Sequence, residues 1–255
     1  MTDTFIDTHC HLFMMEGEPA THVSEALAAG VEAMVCVGID PESSRRSRDL
    51  ADAREGVFAT AGVHPHEATA FDAVAGRVIE ELLADPRVVA VGETGLDHFR
   101  LHSPADDQER VLRAHCGLAR EHHKPIVIHA REAWADVFRV LEEERLERVV
   151  LHCFSGGEAE AKEAAARGYH CSFAGPVTYP KNDALRAAAA ALPAELLLVE
   201  TDSPFLPPQD LRGTGNVPAN VSQVVAAVAA ARGEDPSAVA ALTVRNARAA
   251  FSLPA

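Results

Sequence analysis

Positive charge is in short supply in this chain: 23 lysines and arginines face 38 aspartates and glutamates, a formal net charge of -15 over 255 residues. That deficit argues against a broad, non-specific grip on nucleic acid, which needs a basic face. It leaves room for a local basic patch, and an acidic surface also keeps a protein soluble. Cysteine is scarce as well: there are five, an odd number, with no Cys-x-x-Cys. Free thiols in a reducing compartment fit this usage better than a disulfide framework. Residues 1–15 lack the basic start and apolar run of a signal peptide. No stretch approaches the roughly 18 uninterrupted apolar residues that a membrane span requires. The sequence therefore predicts a cytoplasmic protein with no membrane partner. Also missing is a Gly-x-Gly-x-x-Gly after the first apolar run, which weighs against a dinucleotide-binding sheet.

What is present is an ordinary globular composition, 47% hydrophobic and 24% charged, at a length typical of one eight-fold β/α barrel. Eight apolar, β-rich runs recur along the chain, at 5–9, 31–39, 57–63, 88–93, 126–129, 149–154, 169–173 and 196–201. Their near-continuous apolar character is what strands buried on both faces require. Helix-like stretches separate them, among them 20–29, 43–53, 106–123 and 131–144. Pro41, Pro104 and Pro236 stand near helix starts, while Gly30, Gly56 and Gly168 stand past helix ends. The expectation is a (β/α)₈ barrel of the TIM type forming a single domain over 1–255. The alanine-rich 186–192 reads as a plain outer helix. Residues 203–219, with four prolines and two glycines, read as an ordered loop over the barrel mouth, followed by two terminal helices.

The chemistry begins at Asp7-Thr8-His9-Cys10-His11. In an extended strand side chains alternate, so His9 and His11 face the same way while Cys10 turns into packing. Further metal-capable groups arrive at later strand ends: Glu93 and Asp97 with the fourth run, His129 (Arg131 two residues on) with the fifth, His152 with the sixth, Glu200 and Asp202 with the eighth. In a parallel barrel all C-terminal strand ends open on one mouth, so groups remote in sequence surround one point. His9, His11, Glu93, His129, His152 and Asp202 together exceed what one tetrahedral ion needs. A carboxylate can bridge two ions about 3.5–4 Å apart, which acidify a bound water and polarise a phosphoryl or carbonyl oxygen. Asp202 is the expected general base. The cofactor expected is two divalent metal ions drawn from zinc, manganese or magnesium, the last fitting nitrogen donors least well.

Seven ordered stretches carry a family resemblance: IDTHCHL (6–12), GVHPHE (62–67), VGETGLD (91–97), VIHAR (127–131), HCFSG (152–156), SFAGPVTYPK (172–181) and LLVETDSPFLPP (197–208). Together they resemble the TatD family of metal-dependent deoxyribonucleases, within the amidohydrolase-like barrel group. The resemblance implies that His9, His11, Glu93 and Asp202 serve one metal and that Glu93 bridges to a second held by His129 and His152. It implies a hydrolase, often a DNA exonuclease or endonuclease. The expected reaction is hydrolysis of DNA phosphodiesters by a metal-activated hydroxide, with Glu93 and Asp202 as the catalytic carboxylates. It also suggests that His64 contacts substrate phosphate, against the plainer reading of a His-Pro-His turn held by local hydrogen bonds.

Arg131 can offer a guanidinium fork to a phosphate; its alternative is an outward ion pair with Glu132 or Asp136. Asp97 joins the substrate-side set, with the part of orienting a ligand or a loop. Tyr179 and Lys181 are open between a nucleotide grip and a plain loop. His122 and His123 receive no role, and Cys10 and Cys153 are expected in packing rather than as catalytic thiols.

Two departures from the family pattern bear on affinity for a polyanion. His98 replaces the usual aromatic residue after Gly-Leu-Asp, with Phe99 next, and Arg-Gly-Lys-Arg-Asn-x-Pro becomes Arg212-Gly-Thr-Gly-Asn216-Val-Pro218, two positive charges fewer. The partner expected is DNA, as single strands or frayed ends. The rival is a same-fold hydrolase of a small ester, lactone, amide or aminoacyl ester. Relatives of that type often bridge their metals with a modified lysine at strand four, where this chain has Glu93 and no lysine. A non-catalytic binding protein is the remaining alternative.

Overall fold

The computed structural model describes residues 3–254, so the outermost ends of the unit expected over 1–255 lie outside the described residues. Eight strands form one parallel sheet in sequence order: β1 (Phe5–Cys10), β2 (Val31–Val37), β3 (Val57–Ala61), β4 (Val88–Asp97), β5 (Ile126–Arg131), β6 (Val149–Leu151), β7 (His170–Phe173) and β8 (Leu197–Val199). The seam between β8 and β1 is stitched beyond the end of β8. There the Asp202 amide donates to the His9 carbonyl (2.9 Å), the His11 amide donates to Ser203 (2.7 Å), and Cys10 bridges Ser203 in parallel. The result is a nearly closed (β/α)₈ barrel, as the alternation of runs predicts.

Between the strands lie α1 (Pro19–Ala28), α2 (Pro41–Ala53), α3 (Ala73–Leu83), α4 (Ala105–Glu121), α5 (Trp134–Glu143), α6 (Glu158–Ala166) and α7 (Asp183–Ala191); α8 (Val221–Arg232) and α9 (Pro236–Phe251) follow the last strand. Their starts have local causes. Asp40 accepts from the Ser43 amide (2.7 Å) ahead of Pro41, and Asp72 accepts from Val74 and Ala75 at the start of α3. Proline at the first helical turn costs nothing, because its missing N–H has no partner there anyway. None of these helices is long and apolar enough to cross a membrane.

The core has two compartments. Ile6, Val35, Val37, Phe58, Ala90, Val127, Val150 and Leu198 pack inside the barrel with Ala250, Phe251 and Leu253, so α9 closes the end away from the mouth. The outer strand faces pack under the helical ring in a larger cluster. Both ends of the barrel interior are thus accounted for: apolar filling below, polar side chains above.

Strand limits differ from the expected runs mostly where strands enter the mouth. β6 stops at Leu151 and β8 at Val199, because Cys153 (φ +42°) and Asp202 (φ +56°) turn left-handed and leave the ladder. β4 and β5 run on instead, to Asp97 and Arg131, so the helix expected from 131 begins only at Trp134. The extension of β4 depends on two glycines. Gly92 and Gly95 have φ of +124° and +146°, and a Cβ at either would overlap the carbonyl of Val127 or His129 on β5. Only glycine combines that torsion with so close an approach.

Candidate active site

At the mouth the carboxylate of Glu93 is the centre of a ring of imidazoles. Its Oε1 lies 2.8 Å from His152 Nε2, 3.0 Å from His129 Nδ1 and 3.4 Å from His64 Nε2. Its Oε2 faces the other way, 3.4 Å from His9 Nε2 and 4.0 Å from His11 Nε2. Asp202 Oδ1 completes that second group at 3.6 Å from His11 Nε2 and 3.9 Å from His9 Nε2. These residues come from β1, β4 and β5 and from just past the ends of β3, β6 and β8, as expected for one mouth.

The outer contacts of the imidazoles decide which nitrogens face inward. His11 Nδ1 donates to the Val37 carbonyl (2.9 Å), leaving an electron pair on Nε2. His152 Nδ1 donates to Glu200 Oε1 (3.1 Å), which also accepts from the Cys153 amide (2.9 Å). Such outer bonds fix the tautomer and turn the second nitrogen toward a cation. Inward, nitrogen meets nitrogen: His9 Nε2 and His11 Nε2 are 3.3 Å apart, and His129 Nδ1 and His152 Nε2 are 3.4 Å apart. Two electron pairs at that distance need a proton or a cation between them. Three sets offer ligand atoms all within 4.8 Å of one another: His9 with His11 and Glu93; His9 with His152 and Asp202; His64 with Glu93 and His129. Nitrogen and carboxylate donors of this kind fit divalent first-row metals.

Electrostatics lean the same way. Burial opposes ionisation of Glu93, yet His152, His64 and His129 hold its carboxyl well below the usual range. Burial likewise works against a charge on His152, but Glu93 and Glu200 push its pKa well up. Asp202 is kept ionised against burial by His11, His152 and His9. For His64 burial wins and takes the imidazole down to about 3, so it stays neutral.

The remaining residues fall into place around this centre. His64 forms the His-Pro-His turn, its Nδ1 accepting from the His66 amide (3.1 Å), and still reaches Glu93. Asp97, grouped above with the substrate side, spends its oxygens on protein donors. Oδ2 meets His66 Nε2 (2.8 Å) and His129 Nε2 (3.5 Å), and Oδ1 accepts from the Phe99 and Arg100 amides. Arg131 makes neither of the outward ion pairs considered; its guanidinium stacks on Phe99, 4.1 Å from the ring centroid. Asp136 lies instead 3.9 Å from His98. The Tyr179 hydroxyl donates to Pro207 (3.0 Å), and Arg212 stacks on that ring at 4.9 Å. Cys10 is buried as expected, whereas Cys153 lines the mouth. Strand alternation does not govern a residue whose backbone has turned left-handed.

Three contributors have no role assigned to them by the sequence. Glu200, just past the end of β8, orients His152 by accepting from its Nδ1 (3.1 Å). Asp7 accepts from the Thr201 amide (2.9 Å) and hydroxyl (2.6 Å) across the β1–β8 seam, and burial pushes its carboxyl up to about 8. His115 on α4 accepts the Val63 amide (3.0 Å) and so fixes the chain one residue before His64. For Glu200 and Asp7 the signal was present, since each stands two residues from a ligand-type side chain. Nothing in the sequence marks His115.

Above the ring opens a cleft of ≈ 650 Å³ whose walls include Met14, Arg100, Arg131, Lys181 and Phe205. Residues 6–252 match the family model described as TatD related DNase. The chain belongs to that family. Among TatD relatives it is 39% identical to the metal-dependent hydrolase TatD of Mycobacterium tuberculosis, over 97% of this chain and 98% of that protein. It is 37% identical to the 3′-5′ ssDNA/RNA exonuclease TatD of Citrobacter koseri, over 91% and 92%. In three dimensions it is similar to the TatD homologue YJJV of Escherichia coli K12, with a TM-score of 0.93 and 30% identity across 98% of both chains.

Proposed function

We propose that this protein is a divalent-metal-dependent hydrolase that cleaves phosphodiester bonds of single-stranded DNA. The observation that supports this best is the split carboxylate of Glu93, one oxygen set among His64, His129 and His152 and the other facing His9 and His11. A carboxylate so placed is suited to bridge two cations. On this reading His9, His11 and Asp202 hold one ion, and His129 and His152 hold the other, with His64 near enough to join it. When bound, the ions supply an acidified water and polarise the phosphoryl oxygen.

The protein's own groups do the rest. Asp202 reaches the cleft with an ionised carboxylate and takes the proton of the attacking water. Glu200 and Asp97 keep His152 and His129 in one orientation. Arg131, its face held on Phe99, presents its N–H edge to a substrate phosphate and to the charge that grows in the transition state. The 3′-5′ exonuclease name of the Citrobacter koseri relative supports single strands as substrate. The five free cysteines agree with work in a reducing cytoplasm.

The test is metal-stripped protein reconstituted with zinc, manganese or magnesium and assayed on single-stranded DNA, single-stranded RNA, duplex DNA and a panel of small esters. Metal-dependent cleavage of single strands, faster than of duplex, is expected. Turnover of a small ester with no cleavage of any nucleic acid would replace this reading with the small-substrate hydrolase.

A further inference from the structure

The cleft has two unlike walls. Arg100, in the turn after β4, Arg131, at the end of β5, and Lys181, after β7, make one of them cationic. Over the β1–β8 seam the wall is apolar, made by Met14 and Phe205. Both are exposed, 37% and 50% respectively, in a fold that leaves few large apolar side chains in water. Phe205 stands at 70° to His11, ring centroids 6.0 Å apart, and keeps half of its surface open to solvent at the rim of the histidine cluster.

The exposed ring is also held firmly. The Phe205 amide donates to the Asp202 carbonyl (2.9 Å), tying it to the same turn that sets the Asp202 side chain. Asn216, itself 1% exposed, donates from Nδ2 to the carbonyls of Phe205 (2.7 Å) and Thr201 (2.9 Å). A buried amide thus anchors the backbone of a side chain that packs against little. Apolar packing does not account for that arrangement, whereas a flat partner arriving from solvent does.

We infer that Phe205, with Met14 beside it, is a stacking platform for the nucleobase of the nucleotide whose phosphate lies between Glu93 and Asp202. The cationic wall then takes the neighbouring phosphate. This rests on the nuclease reading above and adds to it which part of the substrate the mouth grips, and where. Every base has a π-face, so the platform is tolerant of sequence and favours the larger purine ring.

The experiment compares wild type, Phe205→Ala and Phe205→Trp, loaded with the metal that supports activity. The substrates are single-stranded oligonucleotides carrying either an ordinary base or an abasic tetrahydrofuran at the scissile nucleotide. Phe205→Ala should lower kcat/KM on the base-bearing strand by about tenfold to a hundredfold, chiefly through KM, as loss of one base–aromatic stack does. On the abasic strand the loss should be several-fold smaller, and Phe205→Trp should restore the base-bearing rate. A ring that merely shields His11 would cost both substrates equally; equal losses, or none, would overturn the platform while leaving the nuclease standing. If wild type cleaves no oligonucleotide with any metal, the nuclease reading fails and the platform falls with it.

Discussion

Two dense clusters of charge sit on this barrel, and they are balanced in opposite ways. On the outer helices Arg113 pairs with Glu109 (2.7 Å), Glu143 (2.5 Å) and Glu144 (3.0 Å), while Arg139 pairs with Glu109 (2.7 Å) and Asp136 (3.2 Å). Arg120 adds a further contact to Glu144 (2.8 Å). Every carboxylate there has a guanidinium, and all of them reach solvent. In the mouth Glu93, Asp202 and Glu200 are buried and face five imidazoles, with no lysine or arginine among their ion-pair partners in the described residues. Buried charge without a matched partner is costly. The first cluster is complete as it stands; the second, on the proposed reading, takes its balance from cations out of solution.

The largest effect should come from Asp202, the carboxylate proposed both to hold an ion and to act as base. Asp202→Asn keeps the shape but removes a basic oxygen, so hydrolysis should fall by about a hundredfold to ten-thousandfold while the fold survives. Near-normal turnover in a variant that still binds metal would remove Asp202 from the role of base.

His115 offers a third kind of balance, a buried imidazole satisfied by backbone alone. Its Nδ1 donates to Val111 (2.8 Å), its Nε2 accepts from Val63, and burial holds its pKa at about 4 against an ordinary 6.5. The unfolded chain therefore takes up this proton first as pH falls. The stabilisation is full above about pH 6.5 and is lost progressively down to about pH 4, to a total of about 3 kcal/mol. Urea unfolding of wild type and His115→Gln between pH 7.5 and 4.5 should show a shallower acid loss in the variant. Parallel curves would mean that other groups carry the acid sensitivity.

Why some of this was legible in sequence and some was not follows from the geometry. A barrel brings all C-terminal strand ends to one mouth, so the convergence of His9, Glu93, His129, His152 and Asp202 follows from period and order alone. Alternation placed His9 and His11 together and Cys10 apart, because β1 stays extended through Cys10. It misplaced Cys153, because a left-handed turn past the end of β6 resets which way a side chain points. Arg131 was undecided between mouth and solvent because its partner, Phe99, lies on a neighbouring loop 32 positions away, and pairings across loops leave no local pattern. Glu200 was passed over for a related reason: what distinguishes it is its hydrogen bond to His152, a contact between two strands.

The smallest effect should lie in the outer cluster. Arg113→Met keeps the apolar stem and removes the charge; solvent screening limits the change in stability to about 1 kcal/mol, and kcat should not move. A large loss of activity in this variant would mean that the outer helices couple to the mouth.

The central claim is that the mouth is completed by two ions sharing Glu93. Elemental analysis of the reconstituted protein measures it directly. Wild type should hold about two ions per chain, and His129→Ala and His152→Ala about one each, with the His9–His11 side still filled. A wild-type chain that binds a single ion, or histidine variants that bind as many ions as wild type, would contradict the bridged centre.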